Sequence, residues 1–237
     1  RSLFFRLIAA GGHGDMYVLG IDSATSACSA AICRDGEIVS RQYEEMARGQ
    51  AEVLVPMIER VLNTAGRKAM DLDLIASTIG PGAYTGVRIV LSTAQALSLA
   101  ASVPLTGVTT FDAVARAQGP QTQGMLIALE TKRADIYVQY FNPNGCSASE
   151  PAAVEEAALP SLFLDQSLRI AGDASERAAA VLRAAGRNID LTGGPGLPDA
   201  TWVARIAGER FAAGNITAAE PMYLRPPDVG SPRKRSP

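Results

Sequence analysis

The chain has 237 residues, of which 47% are hydrophobic and 19% charged, and its formal net charge is −2. This composition provides enough apolar material for a folded core and excludes disorder over most of the length. The length predicts one large domain or two lobes of roughly a hundred residues each. Because nucleic-acid affinity comes mainly from Lys and Arg, the slightly acidic balance is a poor match to a stand-alone RNA-binding protein.

The histidine content excludes several kinds of catalytic site. The single histidine, His13, lies in residues 1–15, which we interpret as a tag or upstream segment outside the fold. A body without histidine cannot hold a Ser-His-Asp triad, a Cys-His pair or an HExxH zinc site. We therefore expect no catalytic residues and no metal site, and we regard a metalloprotease as excluded.

The cysteines and the apolar runs bear on the cellular setting. The three cysteines form no CxxC pair, which favours a reduced, cytoplasmic environment. No apolar run approaches the roughly 18–20 residues of a membrane span. We therefore expect a cytoplasmic protein with no membrane partner.

The first predicted elements are three strands joined by tight turns. Residues 17–22 and 27–33 are short runs of apolar and small residues, and residues 37–43 alternate as a strand does. Arg34-Asp35-Gly36 is a hairpin turn signal between the second and third runs. These features predict an antiparallel meander.

The pattern then changes to that of helices. Residues 52–62 have apolar positions at helical spacing, with Pro56 in the first turns if the helix begins near Val53, and with Gly66 as its C-cap. A strand at 74–79 leads into a Gly-rich segment and a second helix at 87–101. That helix is apolar on nearly all sides, which predicts burial by its own lobe on one side and by a partner on the other.

The second half of the chain repeats this order more weakly. It predicts a duplicated α/β fold of two lobes, each a mixed sheet with βββαβα order. We place the first lobe at residues 16–104 and the second at 105–225, with the last helix able to pack back on the first lobe. The basic tail at 226–237 is expected to be disordered. The elements predicted here are strands at 125–130, 135–141 and 168–171 and helices at 174–185 and 201–213.

Three turns at the ends of predicted strands are candidates for a nucleotide cleft. An acid and hydroxyls in such a turn can hold phosphate oxygens or the water around Mg²⁺, and free N–H groups at a helix N-terminus suit an anion. The candidate cofactor-binding residues are Asp22, Ser23, Thr25, Gly80, Gly82, Thr85, Gly86, Gly172 and Asp173.

The Gly-rich segment at 80–86 also has a purely structural interpretation. Its spacing, Gly-x-Gly-x-x-x-Gly, misses the dinucleotide fingerprint by one residue, and no Gly-Lys-Ser/Thr follows. It could instead be a tight turn in which Thr85 caps the helix and the glycines permit positive φ. No Lys or Arg lies within the three turns, so we expect no required cofactor and at most weak binding of ATP or ADP.

Five segments together resemble the TsaB (YeaZ) family. They are VLGIDSATSACSAAI at 18–32, GQAEVLVPMIERVL at 49–62, IGPGAYTGVRI at 79–89, PLTGVTTFDAVA at 104–115 and PMYLRPPD at 221–228. The resemblance covers essentially residues 16–228. It implies the two-lobed actin-like ATPase (ASKHA) fold shared by sugar kinases, Hsp70 and actin.

The resemblance also implies a role. Members of this family are non-catalytic scaffolds that pair with TsaD and, with TsaE and nucleotide, form the complex that makes threonylcarbamoyladenosine at position 37 of tRNAs. By this resemblance the partners are TsaD as a heterodimer, TsaE within the complex, and tRNA only through the complex. The alternative is a small-molecule kinase of the same fold class, for which Asp22 and Asp173 are the available cleft carboxylates.

The two helices of the first lobe are the expected partner surface. A four-helix contact with TsaD is implied by the resemblance, and the isolated chain is expected to form a homodimer through the same surface. On this hypothesis Ala94→Arg abolishes pairing and leaves the fold intact. The expected interface residues are Val53, Pro56, Met57, Val87, Val90, Leu91, Ala94, Leu97 and Ser98.

Overall fold

Two five-stranded mixed sheets, one in each half of the chain, organise the computed structural model, which describes residues 15–163 and 167–225. Nearly all of the segment interpreted as a tag, and the whole basic tail at 226–237, lie outside the described residues. None of the described helices is both long and apolar enough to cross a membrane.

The first sheet has the strand order β3-β2-β1-β4-β5. Strand β1 pairs antiparallel with β2 and parallel with β4, so the predicted meander is confirmed and is extended by two parallel strands. The elements are β1 (Tyr17–Asp22), β2 (Ala27–Arg34), β3 (Glu37–Glu45), α1 (Gln50–Thr64), β4 (Leu74–Thr78), α2 (Tyr84–Ala101), β5 (Leu105–Val108) and α3 (Thr110–Ala117), with a 3₁₀ turn at Ala69–Asp71.

The second sheet repeats this arrangement with the order β8-β7-β6-β9-β10. The antiparallel and parallel pairings also correspond, so the predicted duplication is confirmed, and each half carries a further βα unit beyond the predicted βββαβα. The elements are β6 (Met125–Glu130), β7 (Asp135–Phe141), β8 (Ala152–Glu155), α4 (Leu159–Leu162), β9 (Ser167–Ala171), α5 (Ser175–Ala184), β10 (Asn188–Leu191) and α6 (Ala200–Ala212), with a 3₁₀ turn at Glu156–Ala158.

The first sheet is covered on both faces. Leu19 and Ile21 of β1 point to the core beneath α1 and α2, whereas Val18 packs in the cluster formed with α6. A Cβ on Gly20 would overlap the backbone of Ala200 in α6. Glycine at this position therefore lets α6 lie directly on the strand.

Two helices cross between the lobes. Helix α6 follows β10 of the second sheet but packs on β1, β2 and β4 of the first. Helix α3 follows β5 of the first sheet, yet its Phe111 and Val114 are buried against Met125 and Ile127 of β6. Each sheet is therefore covered on one face by a helix that follows the last strand of the other.

The predicted lobe boundary after residue 104 is wrong. Strand β5 pairs with β4 in the first sheet, so residues 105–108 belong to the first lobe. The sequence pattern missed β5 because a four-residue strand is too short to show alternation. The last helix does pack on the first lobe, which the prediction had allowed.

Two helix starts also differ from the prediction. Helix α1 begins at Gln50, so Pro56 lies inside it rather than in its first turns. The i−4 carbonyl that Pro56 leaves without a donor belongs to Glu52, which is exposed. Helix α2 begins at Tyr84 with Ala83 as N-cap and no side-chain cap, so Thr85 does not cap it.

Candidate functional site

A cleft of about 470 Å³ lies between the two lobes and contains only part of the predicted nucleotide site. Five predicted residues line it, and the other four, Asp22, Ser23, Gly80 and Gly172, do not. The lining residues among those predicted are Thr25, Gly82, Thr85, Gly86 and Asp173.

Asp22 is turned into the protein rather than toward the cleft. Its side chain is fully buried, and Oδ1 accepts hydrogen bonds from Thr78 Oγ1 at 2.6 Å and from the Ala24 N–H at 3.1 Å. Burial raises the pKa of Asp22 to about 7, against an ordinary value of 3.8, and the Thr78 hydrogen bond opposes this shift only in part. Asp22 therefore does not line the cleft in this structure, and a role as a ligand stays a prediction.

The Gly-rich segment at 80–86 lies directly against the turn that follows β1. The Ala83 N–H donates to the Ala24 carbonyl at 2.7 Å, and Ser23 Oγ donates to the Gly86 carbonyl at 2.9 Å. A Cβ on Gly82 would overlap the Ala24 carbonyl, and one on Gly86 would overlap the Ser23 carbonyl. These glycines permit a close backbone-to-backbone contact between the turn and the loop.

The corresponding turn in the second lobe keeps one acid at the cleft. Gly172 has φ +108°, and a Cβ there would overlap the Ala128 carbonyl, which accepts a hydrogen bond from the Ala174 N–H at 3.1 Å. Asp173 is exposed and lines the cleft, but its Oδ1 already accepts the Glu130 N–H at 2.8 Å. Its carboxylate thus holds the end of β6.

The other charged residues that line the cleft, Arg48, Glu52, Glu130 and Lys132, are not among the predicted binding residues. Arg48 precedes α1, and Lys132 lies in the β6–β7 hairpin at φ +60°. Glu130 is paired with Arg177, and although burial acts in the opposite direction, the Arg177 hydrogen bond holds the pKa of Glu130 below its ordinary value. The sequence feature that could have identified Arg48 is the neighbouring glycine. Gly49 is the N-cap of α1 and has φ +95°.

Most of the predicted interface residues face the chain's own core. Five of the nine are at most 5% exposed, because the stripe that these five residues form on α1 and α2 covers the first sheet and the adjacent loop. Pro56 is exposed, and Val53, Leu97 and Ser98 are half-buried. The predicted interface residues that are instead buried in the chain's own core are Met57, Val87, Val90, Leu91 and Ala94.

The outward side of α1 and α2 nevertheless carries exposed apolar residues. Leu99 is 84% exposed and Val55 is 48% exposed, and Ala96 also faces outward. We call this outward side of the two helices the outer helical face. Near its N-terminal end, a shallow groove of about 510 Å³ runs between Ala51 of α1 and Ile89 of α2.

Within residues 15–163 and 167–225, no three or more His, Cys, Asp and Glu side chains are grouped closely enough to hold a metal ion. The buried thiols of Cys28 and Cys33 lie in the core of the first lobe, while Cys146 is exposed in the second.

Comparison with solved structures confirms the two-lobed actin-like ATPase fold. YeaZ from Pseudomonas aeruginosa superimposes with a TM-score of 0.71 at 26% identity, over 88% of this chain and 100% of that one. The activator of the 2-hydroxyisocaproyl-CoA dehydratase from Clostridium difficile, solved with bound ADPNP, shares the fold with a TM-score of 0.50 at 13% identity, over 86% of this chain and 100% of that one.

Comparison of sequences gives the family. The model described as TsaD, tRNA N6-adenosine threonylcarbamoyltransferase, matches residues 37–164, more than half of the chain. The tRNA threonylcarbamoyladenosine biosynthesis protein TsaB of Escherichia coli strain K12 is 30% identical over 230 residues, covering 89% of this chain and 95% of that protein. With the duplicated sheets and the fold shared with YeaZ, these matches show that the chain belongs to the TsaB (YeaZ) family.

Proposed function

We propose that this chain is a non-catalytic subunit in the biosynthesis of threonylcarbamoyladenosine in tRNA, acting as a scaffold that binds and supports TsaD. The TsaB relative in Escherichia coli carries that pathway in its name. In this proposal TsaE joins within the complex, tRNA is contacted only through the complex, and the protein works in the cytoplasm.

The observation that carries the non-catalytic role is the contact between the β1–β2 turn and the Gly-rich segment at 80–86. A phosphate-binding turn needs N–H groups that point toward the ligand. Here the Ala24 N–H is engaged by Asp22 Oδ1, and the Ala24 carbonyl is engaged by the Ala83 N–H. The Ala24 and Ala83 N–H groups are therefore engaged by the protein itself, which supports a cleft that does not hold a phosphate.

The kinase alternative is less well supported by the same geometry. A small-molecule kinase needs a carboxylate that can reach a substrate hydroxyl in the cleft. Asp22 is buried, so of the two cleft carboxylates only Asp173 lines the cleft, and one of its two oxygens accepts the Glu130 N–H. We therefore propose that no cofactor is required and that ATP or ADP binds weakly if it binds.

Calorimetry with ATP and Mg²⁺ tests this part of the proposal. We expect a dissociation constant weaker than about 1 µM, corresponding to less than roughly 8 kcal/mol of binding free energy. Binding tighter than that, or ATP turnover by the isolated chain with a small-molecule acceptor, would favour the kinase.

The outer helical face is the proposed docking surface for TsaD. Leu99 and Val55 expose apolar surface on the side of the helices that faces away from the sheet. Exposed apolar patches on a folded protein commonly mark interaction sites. We propose that the same face supports a two-fold homodimer when the chain is isolated.

Leu99→Arg tests the docking surface. Because Leu99 is 84% exposed, the substitution should leave the fold intact and should weaken TsaD binding at least about tenfold, measured by calorimetry. Leu162→Arg, at a 56% exposed leucine of α4 in the second lobe, is the matched control and should bind TsaD as the wild type does. Wild-type affinity for Leu99→Arg would place the interface elsewhere.

A further inference from the structure

We propose that residues 221–225 form a strap that joins the two lobes at one end of the cleft. The ion pair between Arg225 and Asp135 attaches the end of this strap to the second lobe. The strap has no regular secondary structure and follows the segment that runs along β5 after α6. It would restrict the relative motion of the lobes, which in two-lobed proteins commonly takes the form of a hinge around the cleft.

The first half of the strap is attached to the first lobe. The Met222 N–H donates to the Ile79 carbonyl at 2.7 Å, and the Met222 side chain packs in the small core formed with Ile79, Val87 and Leu91. Immediately upstream, the Gly107 N–H of β5 donates to the Thr217 carbonyl at 3.0 Å. The approach to the strap is therefore held by backbone hydrogen bonds at the ends of β4 and β5.

Tyr223 adds an exposed attachment to the same lobe. Its ring lies 5.4 Å from that of Tyr84, and its hydroxyl accepts a hydrogen bond from Arg88 Nε at 3.1 Å. The Arg88 guanidinium in turn stacks over the Tyr84 ring at 3.8 Å. All three residues are exposed, so this cluster fixes the direction of the strap at the start of α2 rather than adding buried area.

The second half of the strap is attached to the second lobe. Leu224 packs against the cluster of the second sheet that contains Phe111 and Phe141. Arg225 forms an ion pair with Asp135, the first residue of β7. Two half-buried apolar residues only two positions apart, Met222 and Leu224, thus pack against the cores of different lobes.

The surroundings of Asp135 favour its ion pair with Arg225. The residue is only 1% exposed, and its Oδ1 accepts a hydrogen bond from Thr131 Oγ1 at 2.9 Å. Among the described residues, its Oδ2 has no partner other than Arg225, with which it is ion-paired. Removing the arginine would leave a buried carboxylate oxygen without a partner, which is far more unfavourable than losing a surface pair.

The strap also borders the cleft. A second cavity of about 280 Å³ lies between Gly82 and Tyr84 of the first lobe, Tyr137 of the second, and the strap residues 222–225. It shares Gly82 and Tyr137 with the larger cleft, so the two cavities adjoin. The strap therefore lies where opening of the lobes would separate its two ends.

The distance between the lobes can be measured with spin labels on the full chain. Cys146 is exposed in the second lobe, Asn63→Cys provides an exposed site on α1, and the buried Cys28 and Cys33 should not react in the folded protein. Pulsed electron–electron double resonance on the chain labelled at these two cysteines should give one narrow distribution of the distance between the labels. Adding Arg225→Gln should broaden it at least about twofold.

Arg41→Gln is the matched control. Arg41 of β3 also pairs with an aspartate, but this partner, Asp199, caps α6 at the point where that helix contacts β2 of the same lobe. It should leave the distribution narrow. Leu224→Ala, which keeps the ion pair and removes the apolar contact, should broaden it as well. The proposal is overturned if both strap variants stay as narrow as the parent, or if Arg41→Gln broadens the distribution to the same extent while circular dichroism shows all variants folded.

Discussion

At the scale of single residues, Asp22 shows how a side chain that suggests ligand binding can serve the fold. The carboxyl accepts hydrogen bonds from Thr78 and from the Ala24 N–H, and so holds the β1–β2 turn in shape. Burial raises its pKa to about 7, so a substantial fraction of the group is neutral at physiological pH. A neutral, buried acid is a poor ligand for Mg²⁺ and a good internal acceptor.

The raised pKa of Asp22 predicts a pH-dependent stability. Below pH 3.8 the group is protonated in both the folded and unfolded states. Between 3.8 and about 7 only the unfolded state releases the proton, so the folded state loses stability as pH rises through this window. Asp22→Asn should remove that loss and be about 1–3 kcal/mol more stable than wild type at pH 8.

Urea denaturation of both proteins at several values from pH 4 to pH 8 measures this difference. The advantage of Asp22→Asn should shrink steadily as pH falls and vanish near pH 4. An advantage that stays constant with pH would mean that Asp22 titrates normally.

The conformation of a glycine-containing turn was easier to predict from the sequence than the direction of the Asp22 side chain. Asp35 and Gly36 have φ of 49° and 86°, the type I′ turn that their residue types predict. The role of Gly86 could not be predicted, because a phosphate and a neighbouring carbonyl both require a residue without a side chain. The direction of Asp22 depends on contacts 56 residues away in β4, which local pattern does not contain.

At the scale of elements, the start of α2 is held by its contact with the β1–β2 turn. Gly86→Ala would place a Cβ against the Ser23 carbonyl and should lower the free energy of unfolding by roughly 2–4 kcal/mol. Gly208→Ala in α6 is the control, since the nearest atom to its added Cβ is the end of the flexible Met16 side chain at 3.3 Å. Thermal unfolding should show Gly208→Ala unchanged or stabilised, because alanine favours a helix interior.

The burial of Ala94 in α2 changes the expected effect of Ala94→Arg from lost pairing to lost stability. Ala94 is fully buried, with Val90 and Leu54 in the core of the first lobe. An arginine there would be an unpaired buried charge, so we expect a melting temperature lower by about 10 °C or more, or failure to fold. A folded variant that melts like wild type and has lost only partner binding would restore the original interface hypothesis.

Element identity was easier to predict from the sequence than element orientation. Strand β1 followed from a short apolar run, strand β3 from alternation, and both long helices of the first lobe from helical spacing. The inward face of α2 could not be chosen, because Val90, Leu97 and Leu99 are equally apolar. Only packing on the sheet distinguishes Val90, which is fully buried, from Leu99, which is 84% exposed.

At the scale of the whole molecule, the exchange of α3 and α6 makes the lobes depend on each other. Without α6, the first sheet would expose Val18, Leu74 and Ala76, and without α3 the second would expose Met125 and Ile127. The two helices are further joined by ion pairs, Arg116 with Glu209 and Arg210 with Asp112. Although the described residues form two sheets, we expect these hydrophobic contacts to make them one cooperative unit.

This interdependence predicts a single unfolding transition. Trp202, the only tryptophan, lies in α6 on the first lobe, so its fluorescence follows that lobe, while a fluorophore on Cys146 follows the second. In urea the two probes and far-ultraviolet circular dichroism should give the same midpoint. Phe111→Ala, which removes the largest side chain that α3 buries in the second lobe, should lower both midpoints together, whereas Leu162→Ala at an exposed site should lower neither. Two separate midpoints in the wild type, or a Phe111→Ala shift confined to the Cys146 probe, would show that the lobes fold independently and that the exchanged helices contribute little to their coupling.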